Sequence, residues 1–205
     1  GGYKLVYHLT VASGHTATLE EGVSINQQNL DINVKGTLKA EYAEVADAFV
    51  STTDGASLYV EKGGVVELQN ANINFSRYGE VVVYDGGCFS MTGGSMFASY
   101  YGTNIRSGGV MSLSGVEVKN TVTNQGTLES TDCTYSSYIK ISTTTGLSGS
   151  NNTFMGECFR LDGFSGVTGD LLPFLSEDCL DEVYIGFYGN INTTTISNIS
   201  DILPG

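Results

Sequence analysis

The residues able to do chemistry are few and scattered. Arg77, Arg106 and Arg160 are the arginines, and His8 and His15 the histidines. No Ser or Cys has an evident His partner in sequence, so no nucleophile with its base can be read off the chain. Asp85 is an isolated acid beside Gly86, and His15 sits at an expected turn, where solvent exposure is its plain explanation. Glu177, Asp178, Asp181 and Glu182 gather four carboxylates in six residues, the oxygen ligands that Ca²⁺ prefers. The EF-hand spacing is absent, and a solvated acidic loop accounts for the same run. Cys88, Cys133, Cys158 and Cys179 are spaced by 45, 25 and 21 residues with no C-x-x-C pair, which weighs against zinc. Cys133, Cys158 and Cys179 are thereby candidates for successive turns of a repeat. Cys158 and Cys179 keep two readings: a disulfide in an extracellular setting, or free buried thiols acting as small apolar residues. Tyr78 and Tyr101 lie 23 residues apart, each before a glycine. Their rings suit a glycan contact, against the plainer reading that they shield a turn. Asn74, Asn151, Asn192 and Asn198 begin Asn-x-Ser/Thr triplets, open to N-glycosylation only in a cell that performs it.

The elements that would hold these groups follow from a phrase spoken three times, at Gly63 to Asn70, Gly86 to Gly93 and Gly108 to Gly115. Each opens on a glycine pair, continues with alternating apolar and polar residues, and ends on Gly or Asn. Alternation is the period of a strand with one buried face. A unit of about 22 residues made of strand and turn cannot bury that face alone, so copies must stack. The expected fold is all-β, a single-domain right-handed parallel β-helix of about eight to nine coils over residues 1–205, the hand being the default for parallel crossovers. Gly14, Gly36, Gly64, Gly87, Gly109, Gly126, Gly146, Gly166 and Gly189 are assigned to equivalent corners, with residues 42–54 as a looped insertion. Leu68, Met91, Leu113, Leu128 and Leu147 should form one interior column, and Ile73, Met96, Val118 and Cys133 a second.

Composition agrees. The 205 residues include 27 Gly and 12 Tyr but only 2 Pro and no Trp, a turn-rich β composition in which helices should be few. Pro173 interrupts Leu171 to Leu175, so that piece should be irregular. The net charge of −13 disfavours nucleic acid and anionic membrane surfaces as partners. No apolar run approaches a membrane span, and Gly1-Gly2-Tyr3 lacks the regions of a signal peptide, so a mature or excised chain is expected.

The first coils carry the most specific sequence. Leu9-Thr10-Val11-Ala12-Ser13-Gly14-His15-Thr16-Ala17-Thr18-Leu19-Glu20-Glu21-Gly22-Val23 is followed by Leu30-Asp31-Ile32-Asn33-Val34-Lys35-Gly36-Thr37-Leu38-Lys39-Ala40. This resembles the opening coils of right-handed β-helix proteins of the pectin-lyase-like superfamily, especially large bacterial surface proteins, over about 35 residues. Glu21 stands where that phrase commonly has Pro. The resemblance implies the fold and a cell-surface or extracellular setting. Enzymes of that superfamily cluster Asp with Arg or Lys on adjacent strands, a constellation this chain does not display in sequence.

Residues 189–205 look like the lead-in to a first coil, so that tail joined to residues 1–8 would read as continuous β-helix sequence. No amphipathic cap is evident at either end, and uncapped strand edges recruit other chains. The expected function is therefore non-enzymatic: a structural link of an extracellular filament, stalk or adhesin whose copies stack head to tail. The alternative is a carbohydrate-binding or polysaccharide-cleaving β-helix. No cofactor is called for.

Overall fold

Alternation makes the strand Val65–Phe75 bury Val66 and Leu68 and, after a one-residue shift at the left-handed Asn70, Ala71, Ile73 and Phe75, while it exposes Glu67 and Asn74. A computed structural model of the chain describes residues 2–4, 8–20, 24–27, 31–42, 50–52, 56–75, 77–99, 101–141, 146–162, 171–179 and 184–188. Every strand pairing among them is parallel, and the chain forms a parallel β-solenoid with three faces. The first face is a nine-stranded sheet made of Leu9–Val11, Ile32–Val34, Leu58–Val60, Glu80–Val83, Gly102–Ile105, Val122–Asn124, Ile139–Ile141, Phe159–Asp162 and Ile185–Tyr188. The other two faces belong to one thirteen-stranded sheet, because the 11-residue strands Val65–Phe75 and Cys88–Ala98 run around the corner between them. The second face takes the first half of each long strand and the third face the second half. The solenoid has about six turns, fewer than the eight to nine expected. The outermost rungs account for the difference: Ile185–Tyr188 adds a strand to the first face only.

Two of the corners explain the glycines. Gly36, Gly64, Gly87, Gly109 and Gly126 stack, as the pairings beside them show. A Cβ on Gly87 would lie 2.6 Å from the Val60 carbonyl oxygen of the coil before, and one on Gly109 2.6 Å from that of Val83. The close approach of backbone to backbone selects the residue. Gly14 falls one place out of this column; the register of Thr16 with Thr37 sets it beside the positive-φ glycines Gly63, Gly86 and Gly108. Gly146 is also displaced by one, since Leu147 pairs with Leu128, and Gly166 and Gly189 lie outside the described residues. At the corner between second and third faces, Asn70, Gly93, Gly115, Asp132 and Asn151 follow one another, all with φ between 52 and 66°. Asn, Asp and Gly are the residues that adopt this left-handed geometry most readily.

The interior columns differ in part from expectation. Leu68, Met91 and Leu113 do stack, but the column continues through Ser130 and Gly149. Leu128 and Leu147 belong to the neighbouring column of Val66, Phe89 and Met111. Likewise Ile73, Met96 and Val118 continue into Tyr135 and Phe154, while Cys133 follows Val116 and precedes Asn152. One cause serves both: Val110 pairs with Thr127, Glu117 with Thr134 and Val122 with Ile139, so this coil advances by 17 residues on every face. The apolar column yields to a polar knot at that point. The Ser130 hydroxyl donates to Asn152 Oδ1 (2.9 Å) and accepts from the Tyr135 hydroxyl (2.7 Å). Asn152 Nδ2 donates to the carbonyls of Ser130 and Phe174, both at 2.8 Å. All three side chains are 0 to 1% exposed, and with these bonds made, burying them carries little penalty. Beyond the knot Tyr135 stacks on Phe154 at 4.7 Å, and Phe159 and Phe174 close the aromatic cluster.

Within residues 42–54, Val50–Thr52 is a third-face strand paired on both sides, so that segment is not wholly looped out; residues 43–49 and 53–55 lie outside the described ones. Leu172–Phe174 is a 3₁₀ turn with Pro173 in its first positions, the irregular piece expected. Gly87→Val should lower the unfolding free energy by about 2 kcal/mol or more, from steric strain at the corner. Gly156→Ala should stay within about 0.5 kcal/mol, because a Cβ there meets nothing within 4 Å. Urea denaturation of the two variants checks the contrast.

Candidate functional site

Alternation along the first face turns Asn33, Tyr59, Val82, Asn104, Thr123, Lys140 and Arg160 outward in one column. Val82 is only 1% exposed, so neighbouring outer side chains cover it. The rings of Tyr59 and Tyr84 stand 6.2 Å apart. Asn104 Nδ2 donates to the Glu80 carboxylate at 3.2 Å. Burial pushes the Glu80 carboxyl above its ordinary range, with Asp31 adding to the shift, while Arg106 and hydrogen bonds from Tyr59 and Asn104 oppose it. Burial raises the Tyr59 and Tyr84 hydroxyls as well. The edge of this face is laced from coil to coil. The Asp31 amide donates to His8 Nδ1, the Ser57 amide to Asp31 Oδ1 and the Glu80 amide to Ser57 Oγ, at 2.9, 3.2 and 3.3 Å. These polar groups therefore hold the coils together, with His8 exposed and Ser57 buried.

A cleft of about 330 Å³ opens at the corner where the third face gives way to the first. Its upper wall is Phe97, Ala98 and Ser99 with Tyr101 and Gly102; its lower walls are Lys119 to Thr121 with Thr123, and Ser137 and Tyr138 with Lys140. The third-face strands explain the hollow. They occupy residues 71–75 and 94–98 in two successive coils but shrink to Glu117–Val118 and Thr134–Tyr135 in the next two, so the wall steps inward. Asn120 pins the step: its Oδ1 accepts from the Ala98 amide (3.0 Å), and its Nδ2 donates to Thr103 Oγ1 (3.1 Å) and to the Thr121 carbonyl (2.9 Å). The hydroxyls of Thr121 and Ser137 meet at 3.0 Å. The Arg160 guanidinium lies 3.7 Å from the centre of the Tyr138 ring and is held by the Glu157 carboxylate. Lys119 pairs with Glu117 at 2.9 Å.

Of the residues singled out in sequence, Tyr101 lines the cleft and Tyr78 does not. Both are more than half exposed, yet they are not equivalent: Glu80 pairs with Gly102, which sets Tyr101 beside Gly79. The 23-residue step of the third face becomes 22 on the first, and the spacing concealed this. Cys158 and Cys179 are buried free thiols, and burial raises the Cys158 thiol. Cys179 Sγ accepts from the Phe154 amide at 3.3 Å, and Cys133 is stacked with Asn152 rather than with either of them. Glu177 and Asp178 are exposed on a 3₁₀ turn, while Asp181 and Glu182 lie outside the described residues. Among the described residues no three His, Cys, Asp or Glu side chains gather as metal ligands. Asn74 is exposed on the third face, and Asn151 is exposed with its amide on Asp132 Oδ1 at 2.5 Å. Asn192, Asn198 and the whole tail 189–205 lie outside the described residues. Among those described, no helix is long and apolar enough to cross a membrane.

Sequence reasoning passed over Tyr59, Glu80, Tyr84 and Asn104, and also Lys119, Tyr138 and Lys140. The outward column was available by counting from the strand alternation. The cleft had a signal too, in the drop of the glycine spacing from 22 to 17. Compared with protein-family models, with curated proteins and with solved structures, the chain matches none.

Glu80 carries a pH dependence. The folded chain retains a proton on this carboxyl that the unfolded chain gives up, so stability falls as pH rises from the ordinary carboxylate value of 4.5 through the raised one. Glu80→Gln should flatten that decline, and urea midpoints measured against pH read it directly. An unchanged slope would assign the decline to other groups.

Proposed function

We propose that this protein is a non-enzymatic structural link of a cell-surface or extracellular filament, stalk or adhesin, in which copies stack head to tail. The observation that carries the reading is the open edge of the first coil. Among the described residues, Leu9–Val11 and Thr16–Leu19 pair on one side only, with Ile32–Val34 and Thr37–Glu41. An unpaired edge in a parallel ladder offers a row of amides and carbonyls to a further coil. A heterologous contact of this kind, repeated without closure, builds a fibre. The likeness of residues 9–40 to β-helices of large bacterial surface proteins supports the right-handed, pectin-lyase-like form of the coil and the surface setting.

A second reading is favoured by a different observation. The corner cleft combines tyrosine rings, hydroxyls and lysines on one concave surface, which suits a carbohydrate. Binding glycans and stacking into a rod are compatible, because the cleft lies on the side of the solenoid and the open edge at its end.

The head-to-tail reading predicts assemblies that grow with protein concentration, visible as rods by negative-stain microscopy and as a rising weight-average mass in sedimentation. Thr18→Pro, on the outermost strand of the second face, removes an amide from that edge and should abolish growth while circular dichroism stays that of a β-solenoid. Monodisperse monomers of the unaltered chain at millimolar concentration would defeat the proposal.

A further inference from the structure

The nine-stranded first face ends on Leu9–Val11 at one side and on Ile185–Tyr188 at the other, and among the described residues each of these strands pairs on one side only. The two ends differ in charge. Residues 8–20 carry Glu20 as their only acid and neither Lys nor Arg, but they hold His8 and His15, the only histidines of the chain. Residues 157–188 carry seven Asp and Glu against the single Arg160, a net charge of −6. Of these, Glu177 and Asp178 are exposed on the 3₁₀ turn that precedes Ile185–Tyr188 in the chain. His8 stands at the open edge itself. Its Nδ1 accepts from the Asp31 amide at 2.9 Å, so the neutral ring carries its proton on Nε2, and the Asp31 carboxylate lies 3.7 Å from the same Nδ1. Protonation takes up the lone pair which that bond uses and turns Nδ1 into a donor toward the carboxylate. His15 is exposed at the next corner, with Nδ1 3.1 Å from the Ser13 carbonyl oxygen. On the coil packed against the two rings, the charged groups are Asp31 beside His8 and Lys35, which the register of Thr16 with Thr37 places beside Gly14.

We infer that mild acid promotes the stacking of copies, through protonation of His8 and His15 on the open first coil against the acidic far end of a second copy. The inference rests on the head-to-tail reading above and adds its regulation. A stack that continues the first face sets Leu9–Val11 of one copy beside Ile185–Tyr188 of the other, and hence His8 beside Tyr184 in the register that the coils within the chain keep. Imidazole as a class gains its charge in weakly acidic solution, where carboxylates as a class keep theirs. Residues 8–20 then pass from a net charge of −1 to +1. At neutral pH both edges are negative, and two chains of −13 repel one another. In acid the two edges carry opposite signs, which steers the heterologous contact and opposes a head-to-head one.

The test is sedimentation velocity of the full chain at constant ionic strength from about pH 7.5 down to about pH 5.5, with negative-stain images at both limits. Weight-average mass should rise about twofold or more on acidification. His8→Gln combined with His15→Gln should remove most of that rise while circular dichroism stays that of the unaltered chain. Glu177→Gln combined with Asp178→Asn should weaken the acid stacks, and added salt should dissolve them, because it screens an attraction. Rods of equal length at both pH limits would overturn the acid control and leave the head-to-tail reading standing. An acid response that the histidine substitutions leave intact, or that salt reproduces at neutral pH, would belong to relief of overall repulsion and would also overturn the inference. Monomers throughout the range would remove both.

Discussion

Each coil must return its backbone to hydrogen-bonding distance of the one before, residue for residue, on three faces at once. Strands can meet that demand with almost any side chain, because alternation sends every second one outward. Corners cannot. Where the chain leaves the first face, the carbonyls of the preceding coil occupy the space that a Cβ would take, and glycine follows at Gly36, Gly64, Gly87, Gly109 and Gly126. Where it leaves the second face, the turn needs a left-handed residue, and Asn70, Gly93, Gly115, Asp132 and Asn151 supply it. The two columns set the coil length, and the side-chain ladders follow from them.

Those ladders need not be apolar throughout. Once the coil shortens to 17 residues, Tyr135 enters the column that Val118 held and, two coils earlier, Met96. Ser130 then sits opposite a buried hydroxyl, and Asn152 from the next coil completes the bonding. Burial and desolvation drive the Tyr135 hydroxyl strongly toward its protonated form, which keeps it a donor to Ser130. A buried polar group of this kind also specifies register, since sliding the coil by one residue would leave Asn152 with unmatched donors and acceptors.

The fold was legible because its two strongest signals, glycine corners and period-2 alternation, are local in sequence. The register within short coils was not. Leu128 and Leu147 were matched to Leu68 by chemical likeness, although the spacing from Gly109 to Gly126 already required Ser130 at that place. Tyr78 and Tyr101 were matched by an equal spacing that holds on the third face and slips by one on the first. Of the site residues only Tyr101 was singled out. Lys119, Tyr138 and Lys140 are separated by as many as 39 residues from Tyr101, and only the stacking of three coils brings them together. A lysine between two strand residues looks like any solvated charge until its neighbours above and below are known.

The position of the cleft follows from the same geometry that shapes the rod. A solenoid of constant coil length has flat faces and no hollow to hold a small ligand. Where successive third-face strands drop from five residues to two, the longer coils overhang the shorter ones, and concavity appears at that corner. The overhang would leave amides unsatisfied, and Asn120 answers this by bonding to the Ala98 amide across the step. Lys119 is its immediate neighbour, carried to the rim by the same turn. A single change of coil length thus creates the recess, demands the buried asparagine that stabilises it, and presents cations along its edge.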